Sequence, residues 1–183
     1  MVIDTLWSLF LDRDGVINER IIGGYVQNVN SFHLLEGVSE AISILRKIFG
    51  RIFVVTNQQG IGKKLMTIND LQLIHNYMET KLSVKFDGIY YSPFLAVENN
   101  LMRKPNTGMA IEAKKDFPEI DFEKSIMVGD SITDIQFGKN ANMKTVYISN
   151  KENNIDADMI CASLYDFAKK ISENKKNCTF ANI

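Results

Sequence analysis

Four short polar stretches carry residue types that can do chemistry: Asp12-Arg13-Asp14-Gly15, Thr56-Asn57-Gln58-Gln59-Gly60, Arg103-Lys104-Pro105 and Gly129-Asp130-Ser131-Ile132-Thr133-Asp134. Taken one at a time, each has an ordinary explanation. Asp-x-Asp and Thr-Asn are common turns, Arg-Lys-Pro is a common exposed basic turn, and Gly-Asp before a helix is a routine N-terminal cap. Placed together they describe one kind of site. Asp12, Asp14 and Asp130 repel one another unless a cation sits among them. Mg²⁺ suits that position, because it takes carboxylate and carbonyl oxygens and keeps places for water and phosphate. The Lys104 ammonium and the Thr56 hydroxyl would serve the remaining oxygens of a phosphoryl group. The set reads as phosphoryl transfer, where catalysis is mostly positioning and charge neutralisation.

Something must bring these stretches to one place. Apolar runs at 5–11, 51–55, 88–91, 125–128 and 145–148 predict buried strands. Helical spacing appears between them. Val38, Ala41, Ile42, Leu45 and Ile48 share one face, with Gly50 as the expected C-terminal stop. Thr67 and Asp70 form a capping box ahead of Leu71, Ile74, Met78 and Leu82. Asn106 or Thr107 caps a helix that must end near Pro118, another starts at about Ile132, and residues 164–171 are amphipathic. This alternation predicts an α/β fold with a doubly wound, mainly parallel sheet. Ligands of such sheets bind at the carboxyl ends of the strands, which is where the polar stretches fall. One domain is expected over 1–183, with 174–183 as a flexible tail. By strand alternation Arg13 should face away from its two Asp neighbours, into a structural salt bridge. His75 is expected at the surface or its boundary and His33 is uninformative. Asp134 is either a support behind the site or a helix-surface carboxylate.

The stretches "FLDRDGVIN", "GGYV", "TNQQGIGKK", "IYYSP", "RKPNTGM" and "MVGDSITDI" resemble the haloacid dehalogenase (HAD) phosphatase superfamily. Within it they are similar to the D-glycero-D-manno-heptose-1,7-bisphosphate 7-phosphatases and the allied histidinol-phosphate phosphatases. The resemblance implies that Asp12 is the nucleophile, forming an aspartyl-phosphate, and that Asp14 acts as acid and then as base. It implies Mg²⁺ held by the Asp12 carboxylate, the Asp14 backbone carbonyl and Asp130. Thr56 and Lys104 would bind the phosphoryl group, Lys104 also pairing with Asp12. Gly24, Tyr25 and Val26 match a sugar-lining loop, Asn57, Gln58 and Gln59 follow the phosphate-binding Thr56, and Arg103 would reach a distal phosphate. The implied substrate is a small phosphorylated sugar, heptose bisphosphate first and histidinol phosphate as the alternative.

Four departures stand beside the resemblance. The intervals 14–56 and 56–104 have no room for a cap domain, so loops 18–33, 58–66 and 92–103 must close the site. The subgroup's zinc-binding Cys-x-His and Cys-x-Cys positions fall on Ser92, Phe94, Asn100 and Met102, so zinc is not expected. Phe94, Leu95, Leu101 and Met102 are expected to pack instead as an apolar plug. Ser131 stands where the subgroup often has Lys, and extra residues between Asn18 and Gly24 reshape the entrance.

Bulk properties restrict the partners. A formal net charge of −1 offers no electrostatic case for nucleic acid, and the apolar runs are too short for a signal peptide or a membrane span. Two cysteines, Cys161 and Cys178, make no disulfide framework, as expected of a cytoplasmic protein. Rival readings are a phosphatase of 3′-phosphorylated DNA ends, a signalling receiver domain, and a binding protein that has lost turnover. Receivers lack an acid two residues after the phosphorylated Asp, and Asp14 is present here. Oligomeric state is left open.

Overall fold

Leu9 and Leu11 point to one side of their strand and Phe10 to the other, and all three are fully buried. A strand apolar on both sides needs a layer of helices on each face. The computed structural model, which describes residues 3–151 and 154–173, has that arrangement. The expected tail at 174–183 and Cys178 lie outside the described residues.

Six strands form one sheet: β1 (Ser8–Leu11), β2 (Arg51–Asn57), β3 (Gly88–Ser92), β4 (Ser125–Gly129), β5 (Lys144–Ile148) and β6 (Met159–Cys161). Their order is β3-β2-β1-β4-β5-β6, and every pairing is parallel. The chain leaves β1 towards β2 and later returns to the other side of β1 with β4. The crevice for a ligand opens at that switch point, beyond the carboxyl ends of β1 and β4. β6 is only three residues long, too short to stand out as a strand, and sequence reading misses it. β3 is half-buried, not fully buried as expected, because it is an edge strand with one neighbour.

The helices are α1 (Val38–Leu45), the single turn α2 (Gln59–Gly62), α3 (Ile68–Leu82), α4 (Gly108–Asp116), α5 (Ile132–Asn140) and α6 (Leu164–Glu173). α1, α3 and α6 pack on the Leu9, Leu11, Ile52 and Val54 side, and α4 and α5 cover Phe10, Phe53, Val55 and Met127. Truncating one of these buried leucines to alanine costs about 2–5 kcal/mol. The capping box before α3 is present: Asp70 N donates to Thr67 Oγ1 at 3.1 Å, and Thr67 N donates to Asp70 Oδ2 at 2.8 Å. Thr107 takes the N-cap position of α4 but makes no side-chain capping bond. Gly50 is not the helix stop, since α1 ends at Leu45. A Cβ on Gly50 would lie 2.0 Å from the Thr5 carbonyl oxygen, so close backbone approach explains that glycine. Between Asp14 and Thr56 the chain builds only a 3₁₀ turn, α1 and most of β2, and between Thr56 and Lys104 only α2, α3, β3 and a second 3₁₀ turn.

Candidate active site

β1 ends at Leu11, and Asp12 N donates to the Val128 carbonyl at 2.9 Å, which ties the start of the loop to β4. Gly15 then turns with φ +95°, and a Cβ there would lie 2.0 Å from Asp130 Oδ2. Glycine is what lets the β1 loop pass directly against the carboxylate that follows β4. Carboxylate oxygens of Asp12, Asp130 and Asp134 come within 4.8 Å of one another. The β2 extension delivers Thr56 to the same cleft, together with Asp14, Asn57 and Lys104.

Lys104 is only 2% exposed. Its Nζ lies 2.8 Å from Asp12 Oδ1 and 2.6 Å from Asp134 Oδ1, and donates to the Val55 carbonyl at 2.8 Å. The Asn57 amide fixes the lysine backbone from both sides, Nδ2 donating to Lys104 O at 3.1 Å and Oδ1 accepting from Lys104 N at 3.0 Å. Burial pushes the ammonium towards its neutral form, but the charges of Asp12 and Asp134 outweigh it and hold the lysine above its ordinary value. For Asp12 the balance goes the other way. Burial first, then the Asp134 charge, raise its carboxyl to about 7 against the pull of Lys104. Burial also raises Asp130, against Arg20.

Asp14 has the opposite surroundings. Arg13 Nη2 donates to both of its oxygens at 2.9 Å, Asn18 Nδ2 to Oδ1 at 2.9 Å and Gln58 Nε2 to Oδ2 at 2.8 Å. Burial pushes the carboxyl up, but the Arg13 charge and these bonds hold it below its ordinary value. Gln58 is buried, and its Nε2 also donates to Thr56 Oγ1 at 2.9 Å, so this side chain holds two site residues in register. Gln59 Nε2 donates to Tyr25 Oη at 2.8 Å, and Gly24, Tyr25, Val26, Gln59 and Arg103 line the cleft with the carboxylates.

Arg13 does form an ion pair, as sequence alternation indicated, but it does not face away from the chemistry: it grips Asp14. The loop curls immediately after Asp12, with Ile17 and Asn18 backbone N–H groups donating to Arg13 O, so strand alternation no longer applies. His75 is buried, not at the surface or its boundary, and its Nε2 lies 3.3 Å from Arg13 Nη1. It stands four residues after Leu71 and three before Met78, on the buried face of α3, and that spacing was the available signal. His33 is exposed. Asp134 is fully buried: Oδ2 accepts from Ser131 N at 3.0 Å and Ser131 Oγ at 2.6 Å, while Oδ1 meets Lys104. It is the support behind Lys104. Arg20, which sequence reading did not single out, lines the cleft with Nη1 donating to Asp130 Oδ2 at 3.0 Å.

The expected apolar plug does not form. Leu101 is 77% exposed, and Phe94, Leu95 and Met102 are only half-buried. Polar bonds hold the loop instead. Asn106 Nδ2 donates to Asn100 O at 3.0 Å and to Asn99 Oδ1 at 3.2 Å, Gly108 N to Leu101 O at 2.9 Å, and Arg103 Nη1 to Phe94 O at 3.0 Å. Backbone carbonyls in a loop need partners, and nearby amides supply them better than exposed leucines.

The donor set fits a hard divalent cation. Asp130 Oδ1 is buried and has no hydrogen-bond partner, and Asp130 shares an all-oxygen cluster with Asp12. Asp134 is less available, because both of its oxygens are engaged by Ser131 and Lys104.

Comparison with known proteins agrees with this geometry. The family profile described as polynucleotide kinase 3 phosphatase matches residues 11–173. A D-glycero-alpha-D-manno-heptose-1,7-bisphosphate 7-phosphatase of Mycobacterium bovis is 36% identical over 170 residues, covering 88% of this chain and 90% of that protein. The D-glycero-beta-D-manno-heptose-1,7-bisphosphate 7-phosphatase of Escherichia coli K12 is 34% identical over 185 residues, covering 92% and 95%. The crystal structure of D,D-heptose 1,7-bisphosphate phosphatase from B. bronchiseptica, complexed with magnesium and phosphate, superposes with a TM-score of 0.80 at 22% identity, covering 92% of this chain and 99% of that one. That last likeness establishes the fold. With the profile match across the sheet and the relatives aligned over most of their length, this chain belongs to the HAD phosphatases, in the group of the heptose-bisphosphate 7-phosphatases.

Proposed function

We propose that this enzyme removes the 7-phosphate of D-glycero-D-manno-heptose 1,7-bisphosphate through an aspartyl-phosphate on Asp12. The observation that carries the chemistry is the orphaned, buried Oδ1 of Asp130 beside Asp12 and Lys104, in a cleft that also holds Thr56 and Asp14. Relatives over 30% identical across most of their length, named for this substrate, support the sugar. Mg²⁺ held by Asp12, Asp130 and the Asp14 backbone carbonyl would neutralise the phosphoryl oxygens and the nucleophile's carboxylate.

The chain's own residues do the rest. Lys104 keeps Asp12 oriented and its charge compensated, so Oδ2 is free to attack phosphorus. Thr56 Oγ1 accepts from Gln58, which leaves its own hydrogen for a phosphoryl oxygen. Asp14 rests ionised under Arg13, Asn18 and Gln58. An incoming phosphoryl dianion raises it by like-charge repulsion, so that it can carry a proton to the leaving oxygen. The leaving group departs protonated, and Asp14, ionised again, takes a proton from the water that hydrolyses the Asp12 ester. Arg103 and Tyr25 line the outer cleft, where the sugar and its second phosphate would lie.

The enzyme acts on a small cytoplasmic metabolite, without zinc and without nucleic acid. Among the described residues no helix is long and apolar enough to cross a membrane. The test is kcat/KM with Mg²⁺ for both anomers of the heptose bisphosphate, histidinol phosphate and a 3′-phosphorylated oligonucleotide. One heptose anomer is expected to lead. A lead for histidinol phosphate or the oligonucleotide would overturn the substrate assignment and leave the mechanism standing.

A further inference from the structure

The segment between Asn18 and Gly24 holds a cation that the mechanism above does not use. Asn18 is fully buried, donates from Nδ2 to Asp14 Oδ1, and is bridged through its backbone to Asp14 and Leu34. The chain is therefore pinned just before Arg20. On the far side, Gly24 N donates to Ile21 O in a tight turn, and Tyr25 is held by Gln59. Arg20 sits between two fixed points, and its guanidinium lies over the mouth of the cleft against Asp130 Oδ2.

The two cations paired with the Asp12, Asp130 and Asp134 cluster are held very differently. Lys104 is buried among Asp12, Asp134 and the Val55 carbonyl, and it has nowhere to go. Arg20 is 56% exposed and, among the described residues, has one ion-pair partner, Asp130. A half-exposed pair of that kind is weak and exchangeable. Its partner is a residue whose other oxygen is buried without a bond, in the all-oxygen cluster suited to a divalent cation. Ser131, next to Asp130, brings no charge to that side of the cleft. When a divalent ion takes the Asp130 carboxylate, the attraction that parks Arg20 there is largely cancelled. The nearest new anion is then the phosphoryl group itself, whose oxygens match the guanidinium fork.

We propose that Arg20 is an exchangeable phosphoryl clamp: it rests on Asp130 in the metal-free protein and transfers to the oxygens of the reacting phosphoryl group once a divalent cation occupies the site. This rests on reading the cleft as a metal-dependent phosphatase centre. It assigns the residues between Asn18 and Gly24 a part in binding, in place of a mere change in the shape of the entrance.

The proposal requires opposite changes in two affinities when Arg20 is neutralised. Mg²⁺ titrated calorimetrically into metal-free Arg20→Gln should bind about 2–5-fold more tightly than to wild type, since the competing ion pair is gone. Inorganic phosphate titrated into the Mg²⁺-saturated variant should bind about 10-fold more weakly or worse. Arg20→Lys should recover part of the phosphate affinity, as a point charge without the fork. Thermal unfolding of both variants in EDTA checks that the fold is kept. A merely structural Arg20 would weaken both ligands together, and that result would overturn the proposal. So would unchanged affinities. Wild-type protein that binds neither Mg²⁺ nor phosphate would instead overturn the reading of the centre, and Arg20's role with it.

Discussion

Replacing Lys104 with methionine keeps the length of the side chain and removes the one buried charge shared by Asp12 and Asp134. Both carboxylates are then left in the interior without compensation, and the Val55 carbonyl loses its donor. Breaking a buried pair in this way costs about 3–5 kcal/mol. For a domain of this size that corresponds to a fall in Tm of roughly 6–20 °C. The sign of the pH dependence follows from Asp12, already raised to about 7 in the presence of Lys104. A carboxyl raised in the folded state takes up protons on acidification that the unfolded chain does not, so folding gains stability as pH falls through that range. Without Lys104 the Asp12 carboxyl rises further, and the gain on acidification is larger. Thermal unfolding of both proteins in EDTA at pH 7.5 and 5.5 is the assay, and the deficit of the variant should shrink at the lower pH. Added Mg²⁺ should stabilise both forms by mass action. Turnover should fall at least 10²–10³-fold, the cost of losing one preorganised donor to the phosphoryl oxygens. A variant as stable as wild type at pH 7.5, or a deficit that grows on acidification, would refute this account of the cluster.

Asn106→Ala removes the bonds to Asn99 and Asn100, so the 92–103 loop should lose about 1–2 kcal/mol of local stability. Hydrogen exchange in that loop should speed up and KM should rise more than kcat falls, whereas unchanged exchange would show that something else holds it. His75→Leu strands Arg13 Nη1 beside a Nε that already has no partner, and should destabilise the protein by about 1–3 kcal/mol. His75→Gln keeps an acceptor and should recover much of that loss, and equal losses in the two variants would point to packing alone. Burial, with Arg13 adding to it, lowers the His75 ring to about 3, so its NMR signals should remain those of a neutral imidazole at pH 5. Elemental analysis of dialysed protein should show no stoichiometric zinc, because Ser92, Phe94, Asn100 and Met102 offer no tetrahedral ligand set. Zinc retained at one equivalent would reopen the role of the loop.

The positions of Asp12, Asp14, Thr56 and Asp130 were legible in the linear chain because each closely follows a run of apolar residues whose strand must be buried, and Lys104 because it ends the loop beyond β3. The parallel sheet follows from the same alternation, since buried strands and amphipathic helices have few other ways to cover each other's apolar faces. β6 was not legible, because three residues are too few to leave a periodic trace. The apolar plug was misread from composition: Leu101 looks like core in a list of residues but stands in solvent, and amides beside it satisfy the loop.

What the sequence determined by itself is the inventory and order of the polar groups: two carboxylates two residues apart, a hydroxyl, a cation and a further carboxylate, each at a strand end or on the loop beyond one. Only the tertiary structure decided how those groups share charge. Whether Arg13 serves Asp14, whether Asp134 anchors Lys104, and where Arg20 rests depend on distances between residues up to 110 positions apart. Electrostatic partnership is a property of separation and burial in space, and linear spacing does not encode either across a fold.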